Sequence, residues 1–305
     1  MPDGYAPGGC KAKYIGVKGC SPVPRGRLHK INGRSPQGYR IRLTGPPFFE
    51  MRIIRHIFIL LSLLATCCCT GQTLKTYGYK VEEVLPHDVT SYTQGLFFHE
   101  GQLYESAGQY GESSMRKVEL SSGKVTERVN FDRNYFVEGS CILDGRLFIL
   151  TWREHECLVY DPATMTKLGS FRYQGEGWGL TTDGKYLIMS DGTSTIRFLD
   201  PSTFVEKKSV TVTKKGQKVL YLNELEYIDG DLWANIYGTD MIAIINPDDG
   251  VVKALVNCSG LLPSNLRKSW TDVLNGIAYD ETTGSIYLTG KYWPRMYRIK
   301  LVKKN

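Results

Sequence analysis

An all-β fold follows from three observations: a composition of strand and turn residues, a degenerate internal repeat, and a hairpin dipeptide at the same place in every repeat. The 305-residue chain holds 32 Gly, 19 Tyr and 5 Trp, residue types that mark turns and pleated strands more than helices. The repeat recurs at roughly 40 to 50 residues, the period of a propeller blade. Five units can be counted, so the prediction is a five-bladed β-propeller over residues 75–305, with an N-terminal strand closing the last blade.

The units open at Gln94-Gly95-Leu96, Glu138-Gly139-Ser140, Trp178-Gly179-Leu180, Glu224-Leu225-Glu226 and Asn275-Gly276-Ile277. Each runs through a short apolar strand to a turn at Glu100-Gly101, Asp144-Gly145, Asp183-Gly184, Asp229-Gly230 or Thr283-Gly284, all hairpin signals. Second strands follow in register at Leu103–Ser106, Leu147–Leu150, Tyr186–Met189, Leu232–Asn235 and Ile286–Thr289. Third strands end in Asp-Pro or Asn-Pro turns, as at Tyr160-Asp161-Pro162, Leu199-Asp200-Pro201 and Ile245-Asn246-Pro247. The fifth unit ends near Lys304 with only about three strands. Residues 75–85 are therefore expected to supply its outer strand, which shields the sheet edges.

The net charge of +7 is unevenly spread. Residues 1–56 carry eleven Lys and Arg against Asp3 and Glu50, leaving 27 basic and 29 acidic residues beyond them, a net −2. A slightly acidic domain argues against nucleic-acid binding. Lys207, Lys208, Lys214, Lys215 and Lys218 read as a solvated edge strand and turn.

Residues 1–50 are rich in Gly, Pro, Lys and Arg without apolar periodicity and cannot bury enough surface to order themselves. A basic start at Met51–His56, an apolar run from Ile57 to Ala65 and a small-residue end at Thr66–Cys69 read as a secretory signal over residues 51–69. The run is too short for a membrane span, which needs about 20 residues. Leu64-Ala65-Thr66-Cys67 resembles a lipobox, in which Cys67 would carry a lipid. Export to the periplasm or cell envelope of a bacterium is expected, as a lipoprotein or after simple cleavage, with secretion as the alternative. A signal beginning at Met51 makes residues 1–50 an upstream extension. Membrane contact is expected only through that anchor. Nothing marks a helical or heptad interface, so a monomer is expected.

Outside the leader and the processing site only Cys141, Cys157 and Cys258 remain. They lack metal-site spacing and are odd in number. They read as buried small hydrophobes, with a Cys141–Cys157 bridge as the minor alternative.

In a propeller the first strand of each blade lines the channel, and the end of the second strand returns to the same face. Two sets of residues should therefore meet at one mouth. The strand starts contribute Gln94, Glu138, Trp178, Asn223 or Glu224, and Asn275. Equal offsets along the second strands contribute Gly108, Trp152, Asp191, Tyr237 and Lys291. Carboxylates, an ammonium, amides and aromatic faces together suit a pocket for a small polar molecule.

The segments Tyr92-Thr93-Gln94-Gly95-Leu96, Tyr104-Glu105-Ser106, Gly177-Trp178-Gly179-Leu180, Ser190-Asp191-Gly192-Thr193, Asn223–Ile228, Trp233–Ile236, Val273–Ala278 and Thr289–Pro294 follow one another along the chain. They resemble the plant and bacterial glutaminyl-peptide cyclotransferases over about residues 80–302. The resemblance implies a five-bladed propeller that converts an N-terminal glutamine of a peptide to pyroglutamate with loss of ammonia, by a mechanism without zinc. It implies site residues at Gln94, Glu138, Trp152, Trp178, Asn223 and Lys291, with Tyr92 and Phe136 as neighbouring aromatics. It requires no cofactor, and is compatible with a structural calcium in the central channel. The chain departs from the family pattern in one motif and at one aromatic. The family's Phe-Gly-Glu-Gly-Leu reads Phe136-Val137-Glu138-Gly139-Ser140 here, and an aromatic that is usually Trp is Tyr237.

Cyclisation needs a base for the substrate ammonium and an acid for departing ammonia, and Glu138 is the candidate for both. Burial would raise its pKa and Lys291 would lower it. Lys291, with the amide of Asn223 or Gln94, could stabilise the developing oxyanion. Trp152, Trp178 and Tyr237 would wall the pocket. The histidines form no metal pair, and His87 and His99 read as surface loop residues. Two other readings stay open: an envelope propeller that binds peptide or sugar without catalysis, and a metal-dependent lactonase-type hydrolase drawing on Glu138 and Glu224.

Overall fold

A computed structural model describes residues 74–303, whose regular elements are β-strands apart from a short 3-10 helix at Ser264–Leu266. The leader, the signal segment and its cysteines lie outside the described residues. Five four-stranded antiparallel meanders follow one another. Meander I is Thr93–His99, Gln102–Ala107, Ser114–Glu119 and Lys124–Asn130. Meander II is Val137–Leu143, Arg146–Thr151, Glu156–Tyr160 and Lys167–Arg172. Meander III is Leu180–Thr182, Leu187–Met189, Thr195–Leu199 and Glu206–Thr211, and meander IV is Leu222–Ile228, Asp231–Ile236, Met241–Ile245 and Val252–Asn257. Meander V comprises Leu274–Asp280, Ser285–Gly290 and Arg295–Lys303, and its fourth strand is Lys75–Pro86.

Local chemistry sets this register. Glu100-Gly101, Asp144-Gly145 and Asp229-Gly230 have positive φ at both residues, the type I′ geometry whose twist matches the flanking strands. Within a meander the first strand is largely buried, and Val137–Leu143 wholly so. The fourth is the most exposed, as in Lys124–Asn130, where half-buried and exposed residues alternate. The basic stretch lies on such an outer strand, Glu206–Thr211, and on the ribbon Thr213–Lys214 with Gln217–Lys218, and its lysines are exposed.

The N-terminal strand runs antiparallel to Arg295–Lys303 from Tyr77 opposite Lys303 to Pro86 opposite Arg295. Its first residues also pair in parallel with meander IV, Lys75 opposite Ala254 to Tyr77 opposite Val256, so meanders IV and V form one eight-stranded sheet. That second pairing has no counterpart in the sequence reading.

Apolar packing closes a cycle. Phe97, Met115 and Ile149 join meanders I and II, and Phe148, Cys157 and Leu187 join II and III. Ile188, Phe198 and Leu232 join III and IV, and Trp233, Ile242 and Leu288 join IV and V. Leu96, Leu103 and Tyr287 return from V to I. Cys141, Cys157 and Cys258 are free and buried in these seams, and burial pushes the Cys141 thiol well up. The Cys141–Cys157 bridge does not form.

The histidine reading needs correction. His87 is buried, with Nδ1 2.7 Å from the Trp293 carbonyl oxygen and Nε2 3.0 Å from Glu105 Oε1. Both ring nitrogens face acceptors, which demands the imidazolium. Burial opposes that charge, but the Glu105 carboxylate outweighs it and raises the His87 pKa. His99 is half-buried at the end of its strand rather than in a loop.

Candidate active site

The innermost strands are irregular at one level. Register shifts fall between Thr93 and Gly95, Val137 and Ser140, Leu222 and Leu225, and Leu274 and Ile277. They leave Gln94, Glu138, Asn223 and Asn275 outside the ladder. Such bulges bend the strand and re-aim the side chain they carry. In meander III, Trp178-Gly179 takes the corresponding place just before Leu180–Thr182.

The backbone freed at this level is tied to the neighbouring meander. Ser106 donates to the Glu138 carbonyl at 2.6 Å, Gly139 N to the Trp178 carbonyl at 2.7 Å, and Ser190 to the Asn223 carbonyl at 2.7 Å. Gly276 N donates to Asn235 Oδ1 at 3.0 Å, and Asn275 Nδ2 to the Thr93 carbonyl at 2.9 Å. These five bonds form a closed belt through all five meanders. Ser140, one of the departures from the family pattern, joins the belt by donating to Ser106 Oγ at 3.0 Å.

Above the belt lies a cavity of about 330 Å³ lined by Tyr92, Gln94, Phe136, Glu138, Trp152, Trp178, Asn223, Tyr237 and Lys291. All nine residues expected from the sequence to act in catalysis or substrate binding therefore line one cavity. Of the wider set expected at the mouth, Gly108, Asp191 and Asn275 do not line it. Asp191 is taken by Arg197 at 3.0 Å. Asn275 donates to Gln94 Oε1 at 3.3 Å and so supports a wall residue. The alternative at Asn223 or Glu224 is resolved for Asn223. Glu224 accepts from the backbone N–H groups of Leu96 at 3.2 Å and Ile277 at 2.9 Å.

The walls are aromatic. Phe136 packs at 6.1 Å from Tyr92 and 5.5 Å from Trp152, and Trp178 meets Tyr237 edge-on at 5.7 Å. Gly192, at φ 77°, makes room for Trp178, since a Cβ there would lie 2.7 Å from the indole.

The polar groups are buried and spare. Glu138 is 4% exposed, and no group among the described residues hydrogen-bonds its carboxyl. Burial pushes its pKa well above the usual carboxylate range, Lys291 pulls it down less strongly, and Glu176 and Glu154 add to the rise. Lys291 is 2% exposed, and its Nζ lies 4.4 Å from the Tyr92 ring centre and 5.2 Å from that of Tyr237. Burial lowers its pKa to about 8 against the opposing pull of Glu138 and Asp272. Asn223 Oδ1 is buried without a partner. Native proteins satisfy nearly all such atoms, so the unpartnered Asn223 Oδ1, beside a carboxyl and an ammonium that make no hydrogen bond among the described residues, marks a place for a ligand.

Several residues at the site escaped the sequence reading. Asp272 lies by the Tyr92 phenol, whose pKa is raised by burial and by that carboxylate. Glu176 accepts from the indoles of Trp152 at 2.8 Å and Trp178 at 3.0 Å. Arg153 stacks 3.7 Å over the Trp152 ring. The available signal was the pair of charged residues beside expected wall tryptophans, at Trp152-Arg153 and Glu176-Gly177-Trp178. Among the described residues no group of three or more His, Cys, Asp and Glu could hold a metal ion. A channel cation would therefore depend on carbonyl oxygens.

The family model described as glutamine cyclotransferase matches residues 56–301. A glutaminyl-peptide cyclotransferase of Arabidopsis thaliana is 44% identical over 222 residues, 71% of this chain and 69% of that protein. The crystal structure of Myxococcus xanthus glutaminyl cyclase superposes with a TM-score of 0.71 at 32% identity, over 76% of this chain and 100% of that one.

Proposed function

This chain belongs to the glutamine cyclotransferase family, and on that footing we infer that it is a glutaminyl-peptide cyclotransferase, an acyltransferase that turns an N-terminal glutamine into pyroglutamate and releases ammonia. The observation that carries this reading is the set of three spare polar groups, Glu138, Lys291 and Asn223, buried in one aromatic pocket. We read the five meanders as the blades of a β-propeller, supported by the closed cycle of apolar seams and the belt of five hydrogen bonds.

In the proposed reaction the substrate α-amine attacks its own γ-carboxamide carbon. The N–C bond of the lactam forms, the bond to the carboxamide nitrogen breaks, and the nucleophile comes from the substrate. Glu138 accepts the proton that the amine loses and delivers it to the leaving ammonia. A carboxyl whose pKa burial raises well above the usual range suits both transfers. Lys291 Nζ and Asn223 Nδ2 then donate to the carbonyl oxygen as charge develops on it, a contribution of about 3 kcal/mol for one donor. Gln94 has its Oε1 occupied by Asn275 and keeps Nε2 free to donate. Trp152, Trp178, Phe136, Tyr92 and Tyr237 hold the glutamine chain folded against its amine, and an intramolecular reaction gains most from such confinement.

The scheme needs no cofactor. We also propose export directed by residues 51–69, with a lipid on Cys67 or simple cleavage, and a monomeric enzyme acting on peptides. The test is ammonia release from a Gln-initiated dipeptide with and without chelator. Turnover unaffected by chelator is expected. Activity lost in chelator would favour a metal enzyme, and no turnover by folded protein would favour a binding module.

A further inference from the structure

We propose that Glu176 is a positioning residue for the cyclisation, fixing the indoles of Trp152 and Trp178 as one wall of the pocket. The proposal rests on the cyclase reading and adds a residue to it. Trp152 follows the second strand of meander II, and Trp178 stands at the entry of meander III. The two rings thus come from different sheets, and the backbone bond between them, from Gly177 N to the Trp152 carbonyl at 3.1 Å, does not link the indoles themselves.

One carboxylate does so. Each indole has a single N–H, and both donate to the same oxygen, Glu176 Oε2, at 2.8 and 3.0 Å. The other oxygen, Oε1, accepts from Arg153 Nε at 3.0 Å. The Arg153 guanidinium also covers the Trp152 ring at 3.7 Å, a cation–π contact. Three charge-assisted hydrogen bonds, stronger than neutral ones, therefore converge on one side chain. Burial disfavours the charge, but the bonds from Trp178, Trp152 and Arg153 together hold the Glu176 pKa below its usual value.

A purely stabilising role fits poorly. The Glu176 side chain is 34% exposed, and its two indole partners are both pocket walls. A glutamine at this position keeps one acceptor oxygen but loses the charge and cannot serve both indoles and the guanidinium. The indoles would then be held by packing alone, and the substrate would sample fewer folded, reactive conformations.

The test compares wild type, Glu176→Gln, Trp152→Phe and the double variant in ammonia release from a Gln-initiated dipeptide. Near-ultraviolet circular dichroism and thermal unfolding are recorded on each. We expect Glu176→Gln to lower kcat at least tenfold with a smaller change in KM, to alter the indole bands and to move Tm by only a few degrees. Phe lacks the N–H, so the double variant should lose less than the product of the two single losses. Wild-type rates in Glu176→Gln, or strictly multiplicative losses in the double variant, would overturn the proposal while leaving the cyclase reading intact. Absence of turnover in folded wild type would refute the cyclase reading itself.

Discussion

Lys291 offers the sharpest test of how the pocket works. Its ammonium is buried against the Tyr92 and Tyr237 rings, faces Glu138 and Asp272, and has its pKa lowered from 10.5 to about 8. The fall corresponds to about 3 kcal/mol of net cost for burying the charge. The sign is diagnostic. Raising the pH through about 8 removes the Lys291 proton and the donor, so kcat should fall. The substrate amine, with a pKa of about 7.7 to 8.0, and Glu138 both become active by losing a proton, so they produce rising limbs only. Glu138 and Lys291 titrate as a coupled pair, and the limbs report the pair. Measured at saturating dipeptide, log kcat should decline above about pH 8 in wild type. In Lys291→Arg that decline should move above pH 10, because a guanidinium stays charged. In Lys291→Met it should vanish while kcat drops about a hundredfold, the equivalent of one lost oxyanion donor. An active Lys291→Arg enzyme that still declines near pH 8 would refute the reasoning.

Three other outcomes follow from the same contacts. Glu138→Gln should lower kcat at least a hundredfold with an unfolding midpoint at or above that of wild type, and near-normal turnover would remove Glu138 from proton transfer. Gly192→Ala combines a positive φ with a clash at Trp178. It should cost about 1–3 kcal/mol in denaturant unfolding and raise KM, and an unchanged KM would show that Trp178 does not contact substrate. Glu105, lowered to about 2 chiefly by His87 against burial, contributes stability above about pH 4.5 that is lost as the pH falls toward 2. His87, raised, contributes stability at low pH that is lost as the pH rises through its folded value. Glu105→Gln should therefore cost about 3–5 kcal/mol at pH 6 and flatten the acid limb of stability, and equal urea midpoints at pH 6 would contradict this.

Strand order and most of the pocket were legible because both depend on short-range chemistry. The hairpin dipeptides set the phase of each meander, and equal offsets from them reach Trp152, Tyr237 and Lys291. The same offset fails at Asp191, where Arg197 captures the carboxylate. The pairing of Lys75–Tyr77 with Ala254–Val256 joins distant segments of chain and carries no local signal. His87 was misread because its partner lies 18 residues away. A clue existed in Glu105 itself, since a carboxylate inside a buried strand requires a counterpart. Glu176 was missed because its acceptor role depends on two indoles brought together from separate meanders.

The groups that close the fold and those that face the cavity alternate along the same bulges. The backbone of Glu138 and Asn223 is held by Ser106 and Ser190, while their side chains stay free for a ligand. A buried polar group without a partner costs about 1–3 kcal/mol, and a site with several is a drain on stability. The belt offsets that cost locally, because each bond that satisfies a bulged backbone group also joins one meander to the next. A substitution at Ser106 or Ser190 would therefore act on the reaction and on the fold together, whereas one at the carboxyl of Glu138 or the ammonium of Lys291 would act on the reaction and relieve the fold. The active-site side chains are the positions where this fold can gain stability only by losing chemistry.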